Sequence, residues 1–171
     1  MNKNIFIVVL TLLVSSCTIA KNVGNAQVKG NGNLASEIRT LSNFMAIEIA
    51  IGYDRIIVNC GQKPSVHISG DENILPLITT RISKGILTVE ADSTFKTNSD
   101  SEMIINIKSI KDFTFDGVGK TVIDNLNEDK FNCNINGVGS CELNGKVESF
   151  LMFGFCDLSA PVAQLDRASA F

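Results

Sequence analysis

A repeated corner constrains this chain more than any other feature. Asp116-Gly117-Val118-Gly119 recurs as Asn136-Gly137-Val138-Gly139, 20 residues on, and a weaker copy begins at Gly154, 17 residues further. Aligned on Gly117, Gly137 and Gly154, the copies share four apolar columns: Phe113, Cys133 and Phe150; Phe115, Ile135 and Met152; Val118, Val138 and Phe155; Ile123, Leu143 and Ala160. The glycines alone set the alignment, so the apolar columns agree with it independently. A period near 20 marks coils stacked on coils, each too small to bury an apolar face by itself. The pattern predicts an all-β chain, a parallel β-helix or β-solenoid-like stack of short strands with glycine corners. The drop in spacing falls between Leu143 and Phe150, which places a shortened turn at Asn144-Gly145.

The corner residues are expected to be architectural. Gly117, Gly119, Gly137, Gly139 and Gly154 let the chain turn and let neighbouring coils approach closely. Asp116 and Asn136 precede the glycines and are expected to hold the corner by side-chain-to-backbone hydrogen bonds. Upstream, period-two alternation predicts strands around Ile47 to Ile51, Arg55 to Cys60, Val66 to Ile68, Leu87 to Ala91 and Met103 to Ile107. Turns are expected at Gly52-Tyr53-Asp54, Gly61 to Pro64, Gly70 to Asn73 and Gly85, and a polar loop over 92–101. Ile74 to Ile82 is apolar but contains Pro76, which leaves helix and strand both open there.

The two ends differ from this body. Lys3, the apolar run Ile5 to Val14 and the small residues Ser15 and Ser16 before Cys17 form a bacterial secretory signal over 1–16, too short to span a membrane as a helix. Leu13-Val14-Ser15-Ser16-Cys17 resembles a lipobox, which implies lipidation at Cys17 and a membrane anchor. Thr18, in place of Asp, implies the outer membrane by resemblance to enterobacterial lipoproteins. Residues 17–43, rich in Gly and Asn, are expected to be a flexible tether, and 44–160 the folded domain. Residues 161–171 break the pattern. Val162 to Ala168 back-translates to GTAGCTCAATTGGATAGAGCA, which resembles the D-arm of a transfer RNA gene; the tail is expected to be non-native, read through from such a gene.

Composition narrows the function. Removing Lys3 with the signal leaves 14 basic against 18 acidic residues, a net charge of −4 with no basic cluster. Nucleic acid and anionic lipid are therefore poor electrostatic partners. The four cysteines after Cys17 (Cys60, Cys133, Cys141 and Cys156) allow three disulfide pairings, and no spacing resembles a zinc or redox motif. Cys133 falls in an inward column, where a buried thiol is expected. His67, the single histidine, alternates with Val66 and Ile68 and is expected on the solvated face. Asp112, Asp116 and Asp124 are the nearest to a catalytic carboxylate set, but their equivalents Asn132, Asn136 and Asn144 make a polar column rather than a focused site. No catalytic residue, cofactor or metal is expected. Asn132, Asn134 and Asn136 form an outward strip suited to a glycan or a surface protein.

The serial motifs Phe44-x-x-Ile47, Gly70-Asp71-x-Asn73, Gly85-x-Leu87 and the Gly-x-Gly corners ending at Asp157-Leu158-Ser159-Ala160 resemble the head GIN domain of auto-transporter adhesins, over about residues 30–160. The resemblance implies a β-solenoid in the bacterial cell envelope with no catalytic motif and an adhesin-like, non-enzymatic binding function; a structural envelope scaffold or a non-functional truncated remnant is the alternative, and a polysaccharide-cleaving β-helix enzyme a more distant one. Family members continue with further coils, which implies a truncated member whose open last coil pairs end to end with another copy.

Overall fold

Alternating apolar residues build most of the strands within residues 27–154, which the computed structural model describes. The signal segment, Cys17 and the tail lie outside the described residues, as do Phe155, Cys156 and Ala160. Twelve strands follow in order: β1 (Val28–Lys29), β2 (Leu34–Thr40), β3 (Ala46–Ile49), β4 (Arg55–Cys60), β5 (Ser65–Asp71), β6 (Ile78–Ser83), β7 (Ile86–Ala91), β8 (Phe95–Lys96), β9 (Glu102–Ile107), β10 (Asp112–Phe115), β11 (Val118–Ile135) and β12 (Val138–Gly154). Ile74 to Ile82 resolves into both candidate states. A 3-10 turn at Leu75–Leu77 takes Pro76 in its first positions, where a missing N–H does no harm, and β6 follows.

The main sheet runs β2-β5-β9-β4-β11-β10-β3-β7-β6, with β12 added against β11; β1 and β8 form a separate parallel pair. The all-β expectation holds, and the sheet is mixed rather than wholly parallel. The ladders β7–β3–β10–β11–β12 and β9–β4–β11–β12 are parallel. At the other end β2–β5, β5–β9 and β6–β7 are antiparallel. The reason is local for β6–β7: Lys84 (φ 51°) and Gly85 (φ 79°) make a two-residue turn with both φ positive, and such a turn can join only antiparallel strands. The sheet curls until its two terminal strands are bridged, Arg39 Nη1 of β2 donating to Thr80 Oγ1 of β6 at 3.2 Å.

Inward columns fill the curl. Leu87, Ile47, Phe113, Cys133 and Met152 stand in register across five strands, and Val89, Ile49, Phe115 and Ile135 beside them. Phe113, Phe115 and Phe131 are almost fully buried, each worth roughly 1.5–3 kcal/mol relative to exposure. Cys60 and Cys133 are buried free thiols, and Cys141 is buried as well.

Three expectations are corrected by this register. First, β11 and β12 pair 20 apart from Val118/Val138 to Ile123/Leu143 (138 − 118), then 19 apart from Leu126/Gly145 onward (145 − 126). The shift sits where the sequence places it, at Asn144-Gly145, but it removes one residue, not three; Asn125, at φ 59°, is part of the irregular turn. Gly154 therefore pairs with Ile135, the last residue of β11, and is not the equivalent of Gly137. Phe150 does not join Phe113 and Cys133; it stacks on Phe131, ring centroids 5.9 Å apart and 14° from parallel. The hydrogen-bond ladder counts residues, and a recurring glycine cannot override it. Second, Val118 and Val138 are 62% and 72% exposed, so that column lines the outside of the corner. Third, residues 17–43 are not a tether throughout, because β1 and β2 are paired from Val28 onward.

The corner glycines are there for closeness. A Cβ on Gly137 would lie 1.9 Å from the Gly117 carbonyl oxygen, and one on Gly139 would lie 1.8 Å from that of Gly119. Backbone bonds then tie layer to layer: Asp116 N to Ile49 O (2.8 Å), Asn136 N to Phe115 O (2.9 Å) and Val138 N to Gly117 O (2.8 Å). The side chains of Asp116 and Asn136 are exposed and form no hydrogen bond among the described residues, so the expected side-chain brace is replaced by these backbone bonds.

Candidate binding face

Two outward faces flank the corner. The front face carries the outward side chains of β6, β7, β3, β10 and the ends of β11 and β12. Its register sets Ala46, Asp112, Asn132 and Leu151 in one row and Glu48, Thr114, Asn134 and Phe153 in the next. Asn132 Nδ2 donates to Asp112 Oδ1 at 2.7 Å; of the three amides, Asn132 and Asn134 stand on this face, and Asn136 lies at the corner just past the end of β11. The two amides give way to exposed apolar residues on β12, where Phe153 is 57% exposed.

Beside the strip, the front face sinks into an open groove of about 410 Å³. Met45, Ala46 and Ile86 supply apolar wall, and Lys84, Lys111, Glu48 and Asp112 supply charge of both signs. Backbone bonds fix this rim: Met45 N and Ala46 N donate to Gly85 O (2.9 and 3.2 Å), Lys111 N to Met45 O (2.8 Å), and Asn132 N to Lys111 O (2.8 Å). Sequence reasoning finds the amides and misses the groove. The available signal is Lys84 in a two-residue turn, which must present its side chain at the rim of the face.

The side face belongs to β2, β5, β9, β4 and the first halves of β11 and β12. Here a second polar row runs across the strands: Asn144 Nδ2 to Asp124 Oδ1 (2.8 Å), Asn59 Nδ2 to Asn106 Oδ1 (3.1 Å) and Asn106 Nδ2 to Ser65 Oγ (2.9 Å). Asp112, Asp116 and Asp124 thus occupy a strand start, a corner and the end of the following strand segment. No hydrogen bond joins any two of them, and Asp112 and Asp124 each accept from an amide instead. His67 is half-buried, paired with Ile38 on one side and Ile104 on the other.

The perturbed groups are structural. Burial, then Glu128 and Asp124, pushes the Cys60 thiol up to about 12, which leaves it protonated and unreactive. Burial, then Asp54 and Asp71, raises the Tyr53 hydroxyl, which donates to Ser69 O at 3.1 Å. Asp71 goes the other way. Burial would raise its carboxyl, but the N–H groups of Asn98, Gly32 and Ser99 and the Ser99 hydroxyl outweigh it, at 2.6–3.3 Å. That carboxylate clasps the chain ahead of β2 to the loop ahead of β9. Among the described residues no cluster of three or more His, Cys, Asp or Glu side chains is placed to hold a metal, and no helix is long and apolar enough to cross a membrane.

Residues 43–152 match the family described as "Putative auto-transporter adhesin, head GIN domain". No curated protein matches the chain in sequence. Among solved structures it is similar to a "putative adhesin" from Parabacteroides merdae (23% identity, TM-score 0.62), covering 74% of this chain and 54% of that one. It is similar also to a "putative lipid binding protein" from Parabacteroides distasonis (21%, TM-score 0.60; 71% and 53% covered). A third, a "putative adhesin" from Bacteroides fragilis, has 18% identity and a TM-score of 0.61, with 72% and 67% covered. At these identities the likeness is one of fold. The chain spans about half the length of the first two.

Proposed function

Since the chain belongs to the head GIN domain family, we propose that it is a non-enzymatic, lipid-anchored, adhesin-like protein of the bacterial cell envelope, held at the outer membrane through Cys17 and binding an extended glycan along its front face. Family membership supports envelope or surface association and a binding role. The observation that carries the ligand class is the continuity of the front face. Asn132 and Asn134, in adjacent rows of that face, lie beside an open groove with both charges and an apolar wall. Sugars need many modest hydrogen bonds and a little apolar contact, and such a face offers both without the enclosure that small molecules require.

Glycan-array binding by the full chain tests the ligand. Asn134→Lys together with Asn132→Ala should abolish binding to whichever glycan is retained, while Asn59→Ala on the side face should leave it intact. Equal loss from both faces, or retention by the front-face variant, rejects the front face as the site. Metabolic acyl labelling tests the anchor: the label should be absent from Cys17→Ser, and its persistence there would rule out Cys17.

A further inference from the structure

Two large apolar side chains stand far out of the fold on one strand. Leu34 and Ile38 of β2 are 70% and 72% exposed and share its outward side with Ser36 and Thr40. Ile38 is not isolated. The register sets it in one row with His67 of β5, Ile104 of β9, Ile57 of β4 and Val122 of β11. Val122 is buried and His67, Ile104 and Ile57 are half-buried, so the row comes to the surface at β2. Neither Leu34 nor Ile38 packs against the core. Apolar surface gathered in this way marks a contact face.

The near end of the chain identifies what the face meets. Ten residues lead from Cys17 to Gln27 (27 − 17), a span of at most about 36 Å. The entry into β2 is fixed: Gly30 N donates to Lys96 O (2.8 Å), Gly32 N to Asp71 Oδ1 (2.6 Å) and Glu72 N to Asn33 O (2.8 Å). Leu34 follows that entry directly. An acyl anchor at Cys17, the reading on which this inference rests, therefore keeps β2 within reach of the bilayer. Two side chains bind a bilayer weakly by themselves, but a tether makes the contact intramolecular, where a weak contact suffices. The charge beside the row fits a neutral headgroup layer. Arg55 pairs with Glu102 at 3.7 Å and Lys120 with Glu142 at 3.5 Å, so both cations are already matched and do not call for anionic lipid.

We propose that Leu34 and Ile38 seat the side face on the zwitterionic phospholipid surface that holds Cys17. The front strands β6, β7, β3 and β10 contribute nothing to this seat, so their face stays open to a ligand. The chain contains no tryptophan, and a single one introduced by Ile38→Trp reports on its own surroundings. In the lipidated full chain on vesicles of brominated phosphatidylcholine, its emission should be blue-shifted. It should also be quenched several-fold more than that of Thr114→Trp on the front face, which controls for the affinity of the indole itself for the interface. Adding Leu34→Glu to Ile38→Trp should remove most of the quenching while the protein still floats with the vesicles. Equal quenching at the two positions, or quenching that survives Leu34→Glu, overturns the seat and leaves the Cys17 anchor standing. A chain that does not float with the vesicles overturns both.

Discussion

At one end of the molecule β2 and β6 run antiparallel to their neighbours and face each other across Arg39, Glu37 and Thr80. Asp71 locks the adjoining segments with three backbone N–H groups and a hydroxyl. At the other end β12 runs parallel to β11, and Phe150 and Met152 keep part of their surface open. Both ends are sheet edges made of the same backbone groups. What differs is the side chain turned toward the gap: an ion pair and a hydroxyl at one, hydrocarbon at the other. Inward charge is a known means of blunting an edge. A stacked fold is therefore not symmetric in what it admits, even where its layers repeat.

The largest test of that contrast compares two stacked rings. Phe131→Ala, at a fully buried site, should lower stability by about 3–5 kcal/mol. Phe150→Ala, one layer further out, should lower it by roughly 1–2 kcal/mol, because less of that ring leaves water on folding. Urea midpoints decide the matter, and equal losses would mean that the β12 end is as closed as the interior. The closed end should show itself in acid. The folded-state pKa of Asp71 lies below its ordinary value, so its contribution is complete above the unfolded carboxyl pKa of about 3.9 and disappears as pH falls through the folded value. Amide exchange at Gly32, Asn98 and Ser99 should accelerate over that range, and Asp71→Asn should remove the pH dependence. Unchanged exchange would show that the clasp does not hold that end. The smallest effect lies between the ends. Thr121 stands inward between Ile56 and Cys141, and its buried hydroxyl makes no hydrogen bond among the described residues. Thr121→Val should raise thermal stability by on the order of 1 kcal/mol, and a loss would show that the hydroxyl has a partner in solution.

The regular half of the fold was legible because its layers are apolar and alternate. Ile47, Ile49, Phe113 and Phe115 announce both their strands and their shared columns. The closed end was not legible, for a physical reason. The inward residues of β2 are Ala35, Glu37 and Arg39, so its alternation carries little hydropathy signal. Gly30 and Asn31, which look like linker composition, are used for closeness and local bonding: a Cβ on Gly30 would lie 2.1 Å from the Asp71 carboxylate. The third repeat was misaligned because Gly154 resembles Gly137 in kind, although the ladder places it opposite Ile135. On the candidate face the amides could be read from spacing. The groove could not, since it needs the Lys84-Gly85 turn, Met45 and Lys111 to be brought together from three stretches of chain.

The glycine corners have a consequence for how such a chain changes over time. Each corner touches the backbone of the layer beneath, Gly137 on Gly117 and Gly117 on the Ile51 carbonyl, where a Cβ would lie 2.1 Å away. A side chain acquired at one corner therefore disturbs two layers at once, whereas a whole layer copied with its corner intact meets its neighbours on familiar terms. Lengthening by duplication of entire coils is accordingly the mutational path of least resistance, and drift within a corner is closed to it.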